Sequence, residues 1–260
     1  MHSGRGGVFA DRRDASIYTS RRRHTIFVLW RFKRADPAED LHERAKAAVR
    51  LHRAIPGDAT AVATRLHVER GGAFAVAPNY YFRAETNGVD LTKIGELPKL
   101  FPIVNVKTDT ELFADLDATV AWAKSQGGDT SRLGIIGFCR GGRNVWHYST
   151  HNPNLKAGVA FYGSLIDKND AAPKSSIDLA PEVKEPVLGL YGEADTGIPP
   201  DQVKQMEAAL KAAGKTAEFH EYPGAPHGFV ADYRPSYRKE AAEDAWNNMT
   251  AWFKKYGVLG

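Results

Sequence analysis

The stretch that most constrains this chain is Leu133-Gly-Ile-Ile-Gly-Phe-Cys-Arg-Gly-Gly142, an apolar run that ends abruptly in a cysteine boxed by glycines. Leu133, Ile135 and Ile136 suit a buried parallel strand. Gly137-Phe-Cys139-Arg-Gly141 supplies the G-x-nucleophile-x-G turn that lifts one side chain at a strand-to-helix junction. Glycine is needed two residues to either side of that side chain because strand and helix approach too closely there for a β-carbon, and the central residue is held in strained backbone. Cys139 then stands at a helix N-terminus, where the partial positive charge of free N–H groups favours thiolate over thiol. It is the candidate nucleophile, although a lone cysteine is more commonly a small buried hydrophobe.

Two later segments turn the turn into a constellation. One is Tyr191-Gly-Glu-Ala-Asp195 with Pro199 behind it, the other Tyr222-Pro-Gly-Ala-Pro-His-Gly-Phe229. The intervals are 195 − 139 = 56 and 227 − 195 = 32 residues, each long enough for a helix and a strand. Nucleophile, acid and histidine in that chain order are the arrangement of α/β-hydrolases. His227 would accept the Cys139 proton and later return it to the leaving group, while a carboxylate orients the imidazole. Asp195 is the expected carboxylate, with Glu193 and Asp201 as the alternatives. The backbone N–H of Arg140, just after the nucleophile, is the natural first donor of an oxyanion hole.

On these three motifs the chain resembles the dienelactone hydrolase family, a cysteine-nucleophile branch of the α/β-hydrolases, over about residues 71–260. The resemblance implies an α/β-hydrolase fold, a mostly parallel sheet flanked by helices on both faces, and places the family's acid on Asp195. It also implies hydrolysis of a small ester or lactone of the dienelactone or carboxymethylenebutenolide kind, with no metal and no organic cofactor. Substrates of the family carry a carboxylate held by arginines. Arg83, closing Tyr80-Tyr-Phe-Arg83, matches one such position, while Val230-Ala231 stands where a second would fall and Arg234 is near but not aligned. The family's N-terminal glutamate and the second oxyanion donor find no matching motif in residues 1–70.

Charge sets that first segment apart. Residues 1–70 hold 13 Arg and 2 Lys against 8 acids, a net +7, and the remainder, 6 Arg and 14 Lys against 23 acids, is −3. The expected division is therefore an atypical Arg-rich segment, 1–70, and a hydrolase domain, 71–260. The segment reads as a basic arm, as a targeting peptide built on Arg21-Arg-Arg23 and Thr25 to Trp30, or as the product of a wrong start or shifted frame that still supplies early strands. Its apolar stretch is shorter than secretory signals use. No run approaches the ~18 apolar residues of a membrane helix, and one cysteine excludes an intramolecular disulfide. A free thiol fits a reducing cytoplasm. The expected partner is a small ester or lactone, with no nucleic acid or membrane and a monomeric or weakly oligomeric state. The competing class is a catalytically impaired hydrolase-fold protein that binds through its basic arm. A thiol peroxidase would also want an activated cysteine but would not require Asp195 and His227 in this order.

Periodicity gives the elements. Residues 24–32 and Ala73–Ala77 read as strands, and Pro37 to Arg53 as a helix. A second helix spans Asp109 to Ser125 with Leu112, Phe113, Leu116, Val120 and Ala123 on one face. Strands at Ala157–Phe161, Val187–Tyr191 and Ala217–Tyr222 follow, the last with alternating burial. Helices at Pro200–Ala213 and Tyr237–Tyr256 complete the pattern, the last with an apolar stripe from Ala242 to Phe253. Strands alternating with helices imply a parallel sheet whose ligands bind at the carboxyl ends of the strands, where Arg83, Cys139, Asp195 and His227 all fall.

Overall fold

The computed structural model describes residues 74–76, 78, 102, 105–125, 128–232 and 234–259, together with the backbone of Ile26–Phe32. The strands are β1 (Ile26–Phe32), β2 (Phe74–Val76), β3 (Gly128–Phe138), β4 (Leu155–Phe161), β5 (Val187–Gly192) and β6 (Ala217–Tyr222). The helices are α1 (Asp109–Ser125), α2 (Arg140–Tyr148), α3 (Pro200–Ala212) and α4 (Lys239–Lys255). All six strands join one sheet in the order β2-β1-β3-β4-β5-β6. From β3 to β6 every pairing is parallel, while β1 runs antiparallel to both β2 and β3. The rest of the 1–70 segment, the helix expected over Pro37–Arg53, and Arg83 lie outside the described residues.

Period-two alternation sends neighbouring strand residues to opposite faces. Leu133, Ile135 and Val187 join Val145 and Trp146 of α2, Leu112 and Leu116 of α1 and Val203, Met206 and Leu210 of α3 in one core. Ile136, Val159, Leu188 and Leu190 face Ala245, Trp246, Met249 and Phe253 of α4 in the other. A fully buried side chain of this size is worth about 1.5–3 kcal/mol. Packing therefore holds α4, whose N-cap Arg238 makes no side-chain capping bond.

At α1 the signal is local. Thr108 Oγ1 accepts from the Glu111 N–H at 3.1 Å and Glu111 Oε2 accepts from the Thr108 N–H at 3.0 Å. This reciprocal capping box starts the helix and leaves Asp109 in its first turn.

Two boundaries depart from the sequence reading. β3 begins at Gly128, five residues before Leu133, because Gly128 and Asp129 pair with Phe32 and Arg31 of β1 beyond a register shift, while Thr130 to Arg132, ahead of Leu133, are half-buried or exposed. The expected alternation in β6 is weak. Its residues are mostly half-buried, since β6 is the outer strand of the described sheet and only its β5 side is covered by a neighbour. Among the described residues no helix is long and apolar enough to cross a membrane.

Candidate active site

β3 delivers Cys139 to the end of the sheet in a conformation that L-residues rarely adopt, φ 56° and ψ −119°. The turn is held on both sides: the Cys139 N–H donates to the Phe161 carbonyl of β4 at 3.0 Å, and the Cys139 carbonyl accepts from the Arg143 N–H at 3.1 Å, closing the first turn of α2. A β-carbon on Gly137 would fall 2.1 Å from the Gly141 carbonyl oxygen, so strand and helix can meet at this angle only with hydrogen at that position. Arg140 is the first residue of α2, and its backbone N–H has no acceptor within the helix.

The loops after β5 and β6 are joined through their main chains. The Glu193 N–H donates to the Tyr222 carbonyl at 3.0 Å and the Ala194 N–H to the Ala225 carbonyl at 3.1 Å. That junction fixes Asp195 against His227: Asp195 Oδ2 lies 2.7 Å from His227 Nδ1. The other carboxylate oxygen, Oδ1, accepts from the backbone N–H groups of Gly197 and Ile198 at 2.9 and 3.2 Å. With 2% of its side chain exposed and both oxygens occupied, Asp195 has one geometry available. The second imidazole nitrogen, His227 Nε2, stands 3.1 Å from Cys139 Sγ. The three residues expected from the motifs, their order and the family resemblance thus touch in sequence, carboxylate to imidazole to thiol, and Glu193 is exposed to solvent.

Burial would by itself lower the His227 pKa. Hydrogen bonds to Asp195 and to Cys139, together with the negative charge of both, outweigh it and raise the imidazole from 6.5 to about 10. A proton on the thiol therefore has a strong acceptor at hydrogen-bond distance. The imidazole is still 38% exposed, which leaves it within reach of a substrate.

Beneath the elbow lies a polar cluster the sequence reading did not find. Arg143, 1% exposed, donates through Nη1 to Asp109 Oδ1 at 3.1 Å and through Nη2 to the Lys174 carbonyl at 3.3 Å, with Nε 3.5 Å from Asp167 Oδ1. Arg140 Nη1 donates to Asp167 Oδ2 at 3.4 Å. His147, fully buried on the next turn of α2, has Nδ1 3.2 Å from Asp109 Oδ2. Burial, seconded by the positive charge of Arg143, lowers the His147 pKa below 6.5 and leaves it neutral. Burial would raise the Asp109 carboxyl, but the adjacent His147 imidazole and the Arg143 guanidinium hold it at about 2. Two cations in the first turn of a helix oppose its dipole, so the carboxylates of Asp109 and Asp167 are what make their burial tolerable.

Arg83 lies outside the described residues, as does the early loop expected to give a second oxyanion donor. Arg234 lies along the loop that carries His227, its Nη1 3.3 Å from where a β-carbon on Gly228 would be.

A model of the dienelactone hydrolase family matches residues 41–257, reaching upstream of Gly71 into the segment that charge had set apart. A Methylorubrum extorquens protein provisionally named a carboxymethylenebutenolidase is 50% identical over 189 residues, 72% of this chain and 64% of that one. An Escherichia coli K12 protein of the same provisional name is 46% identical over 198 residues, 75% of this chain and 71% of its own. This chain therefore spans less than two thirds of the first relative's length. Among solved structures, one from Klebsiella pneumoniae, described provisionally as a dienelactone hydrolase, superposes with a TM-score of 0.71 at 44% identity, covering 76% of this chain and 80% of that one. The Pyrococcus horikoshii acylaminoacyl peptidase, at 18% identity and a TM-score of 0.56, shares the fold over 75% of this chain and 34% of its own.

Proposed function

Because the chain belongs to the dienelactone hydrolase family, we propose that it is a carboxylic ester hydrolase that opens small esters or lactones by attack of the Cys139 thiolate. The observation that carries this reading is the unbroken contact from Asp195 Oδ2 to His227 Nδ1 and from His227 Nε2 to Cys139 Sγ, at 2.7 and 3.1 Å.

The sulfur proton passes to His227 Nε2, and Asp195 stabilises the resulting imidazolium through Nδ1–H. Sγ adds to the carbonyl carbon, and the tetrahedral oxyanion accepts from the Arg140 backbone N–H at the positive end of α2. As the intermediate collapses, the C–O bond breaks and His227 returns the proton to the departing alkoxide, leaving a thioester on Cys139. Water then attacks the thioester with His227 as base. The acid product leaves and the thiol is restored.

Substrate choice would rest on Arg83 as the cation for a substrate carboxylate. Arg83→Ala is expected to lower kcat/KM for an anionic lactone about tenfold to a hundredfold and to leave a neutral ester of similar size nearly unchanged, the loss expected of one charge-assisted pair. Equal losses on both substrates would assign Arg83 to structure.

The reading is tested with a chromogenic short-chain ester. Turnover by the intact protein should disappear after alkylation with iodoacetamide, which has a single thiol to find. Undiminished turnover in the fully alkylated protein would remove Cys139 from the mechanism.

A further inference from the structure

Among the described residues two that are not glycine have left-handed backbone, Cys139 at φ 56° and Tyr162 at φ 36°. The elbow explains the first. Tyr162 directly follows β4, beside the elbow, and the mechanism above gives it no part. A side chain there is strained, and such strain persists only where the surroundings over-determine it.

The surroundings do. The Tyr162 N–H donates to the Leu190 carbonyl at 2.8 Å, and the preceding Phe161 carbonyl is held by the Cys139 N–H at 3.0 Å. On the other side, the Tyr191 hydroxyl donates to the Gly163 carbonyl at 3.0 Å while itself accepting from Trp146 Nε1 at 3.1 Å. Gly163 is pressed onto α2 so closely that a β-carbon on it would sit 2.3 Å from the carbonyl carbon of Gly142. The sequence suggests that Gly163 makes this turn through its own freedom. The structure puts the positive φ on Tyr162 instead, with Gly163 needed for the close approach.

What the strained backbone presents is a ring. The Tyr162 side chain, 4% exposed, has its centroid 4.9 Å from the His227 imidazole at an interplanar angle of 61°, and 5.6 Å from Phe229 two residues on. The imidazole is pinned in its own plane by Asp195 at Nδ1 and Cys139 at Nε2. Rotation out of that plane bends both bonds away from the straight geometry they need, and on the buried side the Tyr162 ring stands in its path. We infer that Tyr162 is a positioning residue for His227: its ring blocks the rotation that would carry Nε2 off the sulfur, and its strained backbone, clamped between α2 and β5, is what aims the ring. This rests on the proposed role of His227.

Three variants test it. Tyr162→Phe keeps the ring and should retain kcat within about threefold. Tyr162→Leu and Tyr162→Gly remove it, and kcat should fall about tenfold to a hundredfold with KM little changed, the loss expected of a displaced catalytic base. Glycine favours the left-handed backbone, so Tyr162→Gly reports loss of the ring with that strain relieved, and circular dichroism verifies its fold. The second readout is the pH dependence of Cys139 alkylation by iodoacetamide. In Tyr162→Leu and Tyr162→Gly it should move toward that of His227→Ala, a shift that looser core packing would not produce. Folded Leu and Gly variants that keep wild-type kcat, or that lose it while keeping the wild-type alkylation profile, would overturn the inference. If the wild-type protein turns over no ester, the function reading alone is struck. Alkylation then decides: profiles like that of His227→Ala support the role of Tyr162, and wild-type profiles overturn it.

Discussion

Of the described histidines that face aspartates, His227 and His147 end in opposite protonation states. His227 and Asp195 meet at 2.7 Å at the rim of the sheet, and the imidazole is raised to about 10. His147 and Asp109 meet at 3.2 Å inside the fold, and the imidazole is lowered below 6.5. The carboxylate is common to both, so it cannot be the deciding group. What differs is the rest of each shell. His227 has a thiol on its second nitrogen and an open side, whereas His147 has no exposure and shares its aspartate with Arg143, which already claims that negative charge. A carboxylate raises a neighbouring imidazole only where its pull is not outweighed by burial and a competing cation.

The sharpest way to break this comparison is to exchange the roles. Cys139→Ala should abolish turnover and His227→Ala should lower kcat by about a thousandfold or more. His147→Gln should leave kcat within about threefold and lower Tm by a few degrees. Rate measurements beside thermal melts separate them, and a large rate loss in folded His147→Gln would make the two pairs functionally alike. The aspartates should divide the same way. Asp195→Asn favours the wrong imidazole tautomer and should cost on the order of 10³–10⁴ in kcat. Asp109→Asn deprives buried Arg143 of its partner and should cost about 2–3 kcal/mol of stability, read by denaturant unfolding, with a much smaller change in rate.

The gentlest test is pH. The folded protein binds the His227 proton more tightly than the unfolded chain, where the imidazole titrates near 6.5. The stabilisation is complete below about pH 6.5 and is lost as pH climbs toward about 10. His147, among Asp109, Arg143 and Asp167, does the reverse: below 6.5 the unfolded chain takes up a proton that the native state refuses, and stability falls by at most about 1.4 kcal/mol per pH unit. Unfolding free energies measured across pH should lose the alkaline slope in His227→Gln and the acidic slope in His147→Gln. Cys139→Ala should in addition lower the His227 pKa seen by NMR, since the sulfur supplies part of the rise.

The rim pair was legible in the sequence because each member follows a strand and sits in a turn with its own glycine or proline punctuation. α1 and β6 kept their expected bounds, and α3 ended one residue early at Ala212; at α1 the capping box and the buried Leu112, Leu116 and Ala123 agree. The interior pair was not legible. Asp109 and His147 are separated by 38 residues, each sits on a helix that reads as ordinary amphipathic text, and only the packing of α1 against α2 brings them together. β3 was shortened in the reading for a related reason: its leading residues earn their place by pairing with β1, a contact written in no local pattern. Tyr162 was hidden by its neighbour, since Tyr-Gly suggests that the glycine bends, and the close approach of α2 at Gly163 reverses that assignment.

The apposition of Gly142 and Gly163 is made wholly of main chain, and that gives it a consequence for redesign. Walls built from side chains can be redrawn one substitution at a time, but a seam with no side chain in it has no dial to turn. Any larger residue at either position must push the helix and the strand end apart. The distance between the cysteine turn and the tyrosine turn is therefore set by the fold itself, so loops around the site could be exchanged without re-aiming the sulfur.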